Sequence, residues 1–240
     1  MRRIMNLIKA DAKFILRDGI LLIALLAPIL LAFVIRFGVP IVTDLVMAEF
    51  GFDVVPLYPL FIGFSIFITA MMIGVLIGFI ILDERDEDIL AYLAVTPLSK
   101  SYYLGYRLSS PFVICFVLGA LVVVIADLVT APIWLWVVVL LLAALEAPMC
   151  TLFLVAFASN KVEGLALSKL LGVLYVAPIV GVMVESPLRF VLAVIPQFWL
   201  VWPLYISVSW HVWLVLLGGI AIHCMVLRGL YQRFSLKITF

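Results

Sequence analysis

The sequence predicts an all-α polytopic membrane protein with six transmembrane helices. Its mean hydropathy is +1.36, and only 12% of its residues are charged, about half of the ~25% typical of soluble domains. A spanning helix needs roughly 20 mostly apolar residues. Six segments meet that need, at about 20–37, 58–82, 103–126, 134–158, 166–184 and 210–228. We therefore expect residues 1–240 to form one membrane domain with both ends on the same side.

The basic residues predict how these helices are oriented. Thirteen of the fifteen Lys and Arg residues fall on one side of the predicted topology, and only Arg36 and Arg189 fall on the other. Cytoplasmic loops carry the excess of Lys and Arg, whereas acidic residues have little influence on orientation. The pattern predicts a multi-pass protein of the cell membrane with both termini in the cytoplasm.

Residues 1–19 are predicted to form an amphipathic helix that lies in the cytoplasmic interface of the membrane. At about 100° per residue, the basic side chains form one stripe and most apolar side chains gather on the other side. Asp11 and Asp18 project towards the apolar side and interrupt this pattern. We expect them to face other segments of the chain, for which Arg107 and Lys169 are candidates.

Two stretches outside the predicted spans differ in character. Residues 38–57 contain three acidic side chains and are predicted to form an external connection. Residues 185–209 are apolar enough for a seventh span, but three prolines interrupt them, and a seventh crossing would place the basic C-terminal residues outside. We therefore predict an external re-entrant hairpin of two short helices before the last span. Its backbone at membrane depth must be covered by protein or line a cavity.

The stretch ILDERDEDILAYLAVTPLSKSYYL, residues 81–104, places five acidic residues between two apolar spans. Residues 83–95 are predicted to form a helix, because acidic residues in its first turns favour the positive end of the helix dipole and Pro97 ends it. One face of this helix is charged and another is apolar. The residues alone leave two interpretations open, a contact with a partner protein or a helix resting on lipid headgroups.

The segment ERDEDILAYLAVTPLS, residues 84–99, resembles the segment after the second span in permeases of type-two ABC exporters. The basic N-terminal helix, the six spans and the broken apolar hairpin before the last span fit the same family. Residues 159–164 resemble its second cytoplasmic loop. The chain as a whole is most similar to the family's drug-export permeases, which include fluoroquinolone exporters.

This resemblance implies that residues 83–99 form a cytoplasmic coupling helix, which docks on a separate ATPase subunit. The contact residues it implies are Glu84, Arg85, Glu87, Leu90, Leu93, Thr96, Pro97 and Leu98. A second permease subunit, identical or related, is implied as well. ATP and Mg²⁺ would be bound by the ATPase chains, with no cofactor in this chain and no nucleic-acid partner. In agreement, the sequence has no Gly-x-x-x-x-Gly-Lys-Ser/Thr phosphate loop, and the permease itself is not expected to be an enzyme.

The implied function is outward transport of a hydrophobic or amphipathic drug-like molecule, with lipid, peptide or polysaccharide as other possible cargo. Glu146 stands near the middle of the fourth span, where a carboxylate is costly unless it is paired, protonated or in water. It is a candidate for the substrate path or for a proton or cation site, and equally for a packing residue beside Pro148. The alternative function is a proton-coupled secondary transporter using Glu146. The expectation that no second acid or histidine lies at mid-span weakens that alternative.

Several other residues within the apolar segments have two interpretations. Trp199 and Trp202 are candidates to stack on an aromatic cargo, or they belong to an interfacial aromatic belt. The small residues at every fourth position of the second span allow close helix approach, which favours packing within the chain over a dimer contact. These are Ala70, Gly74 and Gly78. No metal site is expected, because the two histidines of the last span lack the spacing of ligands on one helix.

Overall fold

The structure is a computed structural model that describes residues 11, 13, 15–17, 19–87, 100–206 and 211–237. Six helices in this part are long and apolar enough to cross a membrane, which confirms the predicted fold class and number of spans. The helices are α1 (Gly19–Phe50), α2 (Tyr58–Asp86), α3 (Lys100–Ala126), α4 (Ile133–Phe157), α5 (Lys161–Val173), α6 (Val176–Met183), α7 (Phe198–Tyr205) and α8 (His211–Lys237), with 3-10 helices at Val55–Leu57 and Pro187–Val194. The fifth candidate span comprises α5 and α6.

The first helix is longer than predicted. It continues through Pro40 to Phe50, so the external connection expected at 38–57 is wrong in its extent. The helix stops at Gly51, which has a φ of 63° and donates its N–H to the carbonyl oxygen of Met47 at 3.0 Å. Glycine adopts this left-handed conformation without a side-chain penalty, which makes it a common residue directly after a helix.

The second span also extends further than predicted. Residues Asp83 to Asp86 form the last turn of α2, and Glu87 donates its N–H to the carbonyl oxygen of Asp83 at 2.9 Å. The separate helix expected to begin at Asp83 therefore does not begin there. Most of it, residues 88–99, lies outside the described residues.

The fifth span is interrupted between α5 and α6. Pro178 has no N–H to donate to the carbonyl oxygen of Leu174, and that oxygen accepts from Ala177 at 3.2 Å instead. The span begins at Lys161, five residues before its predicted start. After it, the helices Pro187–Val194 and Phe198–Tyr205 have eight residues each. A helix of that length is too short to cross a bilayer, so the described part of 185–209 contains no seventh span. That the hairpin is re-entrant stays a prediction.

The helices α2 and α4 form the centre of the structure. In each of them 72% of the most apolar stretch is buried, compared with 22–28% in the other spans. Small residues bring the pair together, because a Cβ at Gly74 would collide with the carbonyl oxygen of Ala147 and would lie 2.6 Å from the Cβ of Cys150. Thr151 Oγ1 donates to the Gly74 carbonyl oxygen at 2.9 Å. The predicted packing of small residues within the chain is confirmed at this contact.

Candidate functional site

Among the residues that the structure describes, we consider two groups of ionisable side chains with buried members, and the first lies where α2 ends. We call it the end cluster. Its members come from the N-terminal segment, the last turn of α2 and the first two turns of α3. They are Asp11, Glu84, Tyr103, Tyr106 and Arg107.

Arg107 holds the end cluster together. Its side chain is almost completely buried, with 1% exposure, and it forms ion pairs with two carboxylates. Its Nη1 lies 2.7 Å from Asp11 Oδ2, and its Nη2 donates to Glu84 Oε1. The Tyr103 hydroxyl donates to Glu84 Oε2. The Tyr106 hydroxyl donates to Asp11 Oδ2 at 2.7 Å. A buried charge requires such partners, and here each carboxylate has both a cation and a phenol.

The pair between Asp11 and Arg107 confirms an expectation from the sequence. Asp11 interrupts the apolar side of the N-terminal segment because it faces a cation on α3. The second residue of that expectation, Asp18, lies outside the described residues. The contact shows that the N-terminal segment packs against the core at this point.

The neighbouring residues of the acidic stretch are attached to the start of α5 and the end of α4. Asp83 Oδ2 accepts from Lys161 Nζ at 2.7 Å, and Asp86 Oδ2 accepts from the Lys161 N–H at 3.3 Å. Arg85 Nη2 donates to the carbonyl oxygen of Ala158 at 2.7 Å. A cation at that position is favourable because helix C-termini expose unpaired carbonyl groups. The last turn of α2 therefore contacts three other parts of the chain.

These contacts place the residues that the resemblance implied for an ATPase interface. Glu84 and Arg85 face the chain itself, whereas Glu87 is exposed. The other implied contacts lie outside the described residues; they are Leu90, Leu93, Thr96, Pro97 and Leu98. Of the described candidates, Glu87 has an exposed side chain that a partner could contact. Glu84 and Arg85 instead fix the position of the end of α2.

The second buried group, which we call the central cluster, consists of Glu146, Gln197 and His223. These residues come from α4, from the start of α7 and from α8. Glu146 and His223 are completely buried, and Gln197 is 3% exposed. Gln197 Nε2 donates to Glu146 Oε2 at 3.1 Å, and His223 Nε2 lies 3.5 Å from Glu146 Oε1.

The central cluster corrects one expectation from the sequence. A histidine does lie at the depth of Glu146, since His223 contacts it directly. The sequence contained the signal, because a histidine thirteen positions into the last helix can reach the same level as an acid in the middle of the fourth. Gln197 was missed because it belongs to the predicted hairpin, whose fold the sequence did not define.

Both tryptophan candidates are engaged in packing within the chain. Trp199 donates from Nε1 to the carbonyl oxygen of Ala193 at 2.7 Å, and its ring lies where a Cβ on Gly218 would be 2.8 Å away. Trp202 stacks on Phe198 with 5.4 Å between ring centres. The guanidinium of Arg189 lies 4.5 Å from the centre of the Trp202 ring. These contacts fasten the short helices to one another and to α8.

A cavity of about 600 Å³ is lined by residues of α3, α4 and α8. Its lining is mainly apolar and includes Leu145, Pro148 and Cys224, which flank Glu146 and His223 in sequence. Phe112 and Tyr231 add aromatic groups and Arg228 adds a positive charge. This volume falls within the range of roughly 300–1,000 Å³ that is usual for small-molecule sites.

Six apolar helices around two buried polar clusters define a multi-pass membrane protein. Residues 11–231 match the family model described as "Fluoroquinolones export permease protein Rv2686c-like", and the chain belongs to that family. It is 26% identical over 231 residues to Fluoroquinolones export permease protein Rv2686c of Mycobacterium tuberculosis strain ATCC 25618 / H37Rv. It has the same identity to Fluoroquinolones export permease protein MT2760 of strain CDC 1551 / Oshkosh. Both matches cover 95% of this chain and 92% of the relative. No solved structure matches the chain.

Proposed function

We propose that this chain is the membrane permease of an ATP-driven exporter that moves amphipathic drug-like molecules, with fluoroquinolones as the first cargo to test. It works with separate ATPase subunits, which bind ATP and Mg²⁺, and with a second permease subunit. Its termini and the acidic stretch face the cytoplasm of the cell. The observation that carries this proposal is the family match over residues 11–231, whose named relatives are drug-export permeases.

The anchored end of α2 supports the ATP-driven mechanism. Motion of an ATPase can be transmitted only through a contact that is attached firmly to the spans. Asp83, Glu84 and Arg85 attach the last turn of α2 to α5, α3 and α4, respectively. A force applied from residue 87 onwards would therefore act on several helices together. The two conformations of the permease must differ in their affinity for the ATPase or its nucleotide state, since a partner without that difference shifts nothing.

The test is drug-stimulated ATP hydrolysis by the chain in lipid nanodiscs with its candidate ATPase. Wild type should hydrolyse ATP faster as a fluoroquinolone is added. Glu87→Lys should reduce that stimulation by about tenfold, which corresponds to about 1.4 kcal/mol of lost coupling. The matched control is Glu49→Lys, which reverses the charge of an exposed acid on α1 and should leave stimulation unchanged. Stimulation that is equal in the two variants would contradict the role of Glu87.

A second function, proton-coupled secondary transport, is favoured by the pair of Glu146 and His223. Intramembrane acids and histidines form proton relays in transporters. Transport into sealed lipid vesicles that contain the chain and its candidate ATPase separates the two functions. Drug movement that requires ATP and survives collapse of the proton gradient supports the exporter, whereas movement that needs no nucleotide and stops when the gradient is removed would replace it.

A further inference from the structure

The geometry of the central cluster limits the number of protons that it can hold. His223 Nδ1 lies 2.7 Å from the carbonyl oxygen of Gly219. A carbonyl oxygen can only accept, so Nδ1 carries a hydrogen and donates it. In the neutral ring the other nitrogen, Nε2, is then an acceptor. It faces Glu146 Oε1 at 3.5 Å, and an ionised carboxylate is also an acceptor. The two atoms attract each other only if one proton lies on one of them.

The surroundings decide which protonation state is stable. With one proton the pair has no net charge, whether as a neutral acid beside a neutral imidazole or as an ion pair. Without it a carboxylate remains, and with a second proton an imidazolium remains, in each case as an unbalanced charge buried completely. In the described part of the chain, the ionisable groups that also interact with Glu146 are Cys115 on α3, Cys150 on α4 and Tyr175 between α5 and α6. These thiols and this phenol are uncharged at neutral pH and do not compensate either charge.

Gln197 connects this protonation state to the hairpin. Its amide donates to Glu146 Oε2 at 3.1 Å, and it immediately precedes α7. The buried face of α7 packs on the core through Phe198, Leu200 and Val201. Loss of the proton would leave a buried charge whose most direct relief is hydration, which requires α4, α7 and α8 to separate.

We propose that Glu146 and His223 form a site for a single proton, and that occupancy of this site keeps Gln197 and α7 closed against α4 and α8. Closing the hairpin binds one proton and opening it releases one. The site holds its proton whether ATP or a proton gradient supplies the energy for transport, so its occupancy does not depend on the proposed function.

The experiment is hydrogen exchange of residues 198–205 in nanodiscs, expressed as protection relative to the unfolded peptide, from about pH 6 to about pH 10. Between the pH at which the open hairpin loses the proton and the higher pH at which the closed hairpin loses it, wild-type protection should fall by up to about tenfold per pH unit, the slope for one proton. Glu146→Gln should stay protected without that slope. Its amide can donate to His223 Nε2 while its oxygen accepts from Gln197. Glu49→Gln, which removes an exposed carboxylate, should keep the wild-type slope.

Infrared spectra of wild type provide a second measurement that needs no variant. The band of a neutral carboxyl group, or of an imidazolium, should be present while protection falls, because the closed form still holds the proton, and should disappear only at higher pH, where the slope ends. The proposal is overturned if wild type and Glu146→Gln have the same slope, or if neither band is present at a pH at which α7 is fully protected. A Gln197→Leu variant that keeps the full protection of α7 would show that the amide does not hold the hairpin, and would also overturn it.

Discussion

The end cluster and the central cluster both stabilise ionisable groups away from water, but they do so by different means. Each buries ionisable groups and joins three parts of the chain, but the end cluster uses permanent charges and the central cluster shares a proton. Arg107 remains charged at any working pH, and Asp11 and Glu84 balance it from two sides. Glu146 has only a histidine and an amide. In this protein, ion pairs between permanently charged groups lie near the end of a span, whereas the ionisable pair at mid-span has no net charge.

Removing the cation of the end cluster should have the largest effect. In Arg107→Ala, Asp11 and Glu84 would be left as two partly buried carboxylates without a counter-charge. Breaking a buried pair in this way costs about 3 to 5 kcal/mol. We expect a correspondingly lower free energy of unfolding in detergent and loss of drug-stimulated ATP hydrolysis.

Arg36→Ala is the matched control for that change. Arg36 lies 3.8 Å from Asp127, and its side chain is 42% exposed. An exposed pair contributes about 0 to 1 kcal/mol. If the two variants were equally stable, the end cluster would not be the anchor that we describe.

Removing the amide of the central cluster should have an intermediate effect. In Gln197→Leu, Glu146 Oε2 loses its donor, and a buried acceptor without a partner costs about 1 to 3 kcal/mol. The loss should appear in denaturant unfolding, and it should not depend on salt because no charged partner is removed. Gln232→Leu, on the exposed face of α8, should change stability by less than about 0.5 kcal/mol. A salt-dependent loss in Gln197→Leu would contradict a neutral central cluster.

The pair of Lys161 and Asp83 should show the smallest effect. The Lys161 side chain is 44% exposed, although the pair is only 2.7 Å long. Lys161→Met should therefore cost about 0.2 to 1 kcal/mol, and less at high salt. A double-mutant cycle with Asp83→Asn measures the pair directly. A coupling energy as large as that of Arg107 with Glu84 would remove the distinction between buried and exposed pairs at the end of α2.

Residue patterns predicted several features that the structure contains. The apolar runs predicted six spans, and the two acids on the apolar side of the N-terminal segment predicted a buried partner, found in Arg107 for Asp11. Helix ends were less well predicted. The sequence predicted that the first two spans end at about residues 37 and 82, but α1 continues to Phe50, before a left-handed glycine, and α2 continues to Asp86. A local signal does not by itself fix where a helix ends, because each further residue adds a backbone hydrogen bond to a helix that has already formed.

The central cluster could not have been derived from spacing. Glu146 lies 51 residues before Gln197, and His223 follows on another helix; the three share no motif or period, so only the packing of α4, α7 and α8 brings them together. The sequence by itself determined that this is a six-span membrane protein with an acidic segment after its second span, because hydropathy and charge act residue by residue. The tertiary structure alone decided which charges are paired, which acid shares a proton and which face of α2 stays open, because these depend on distances between helices.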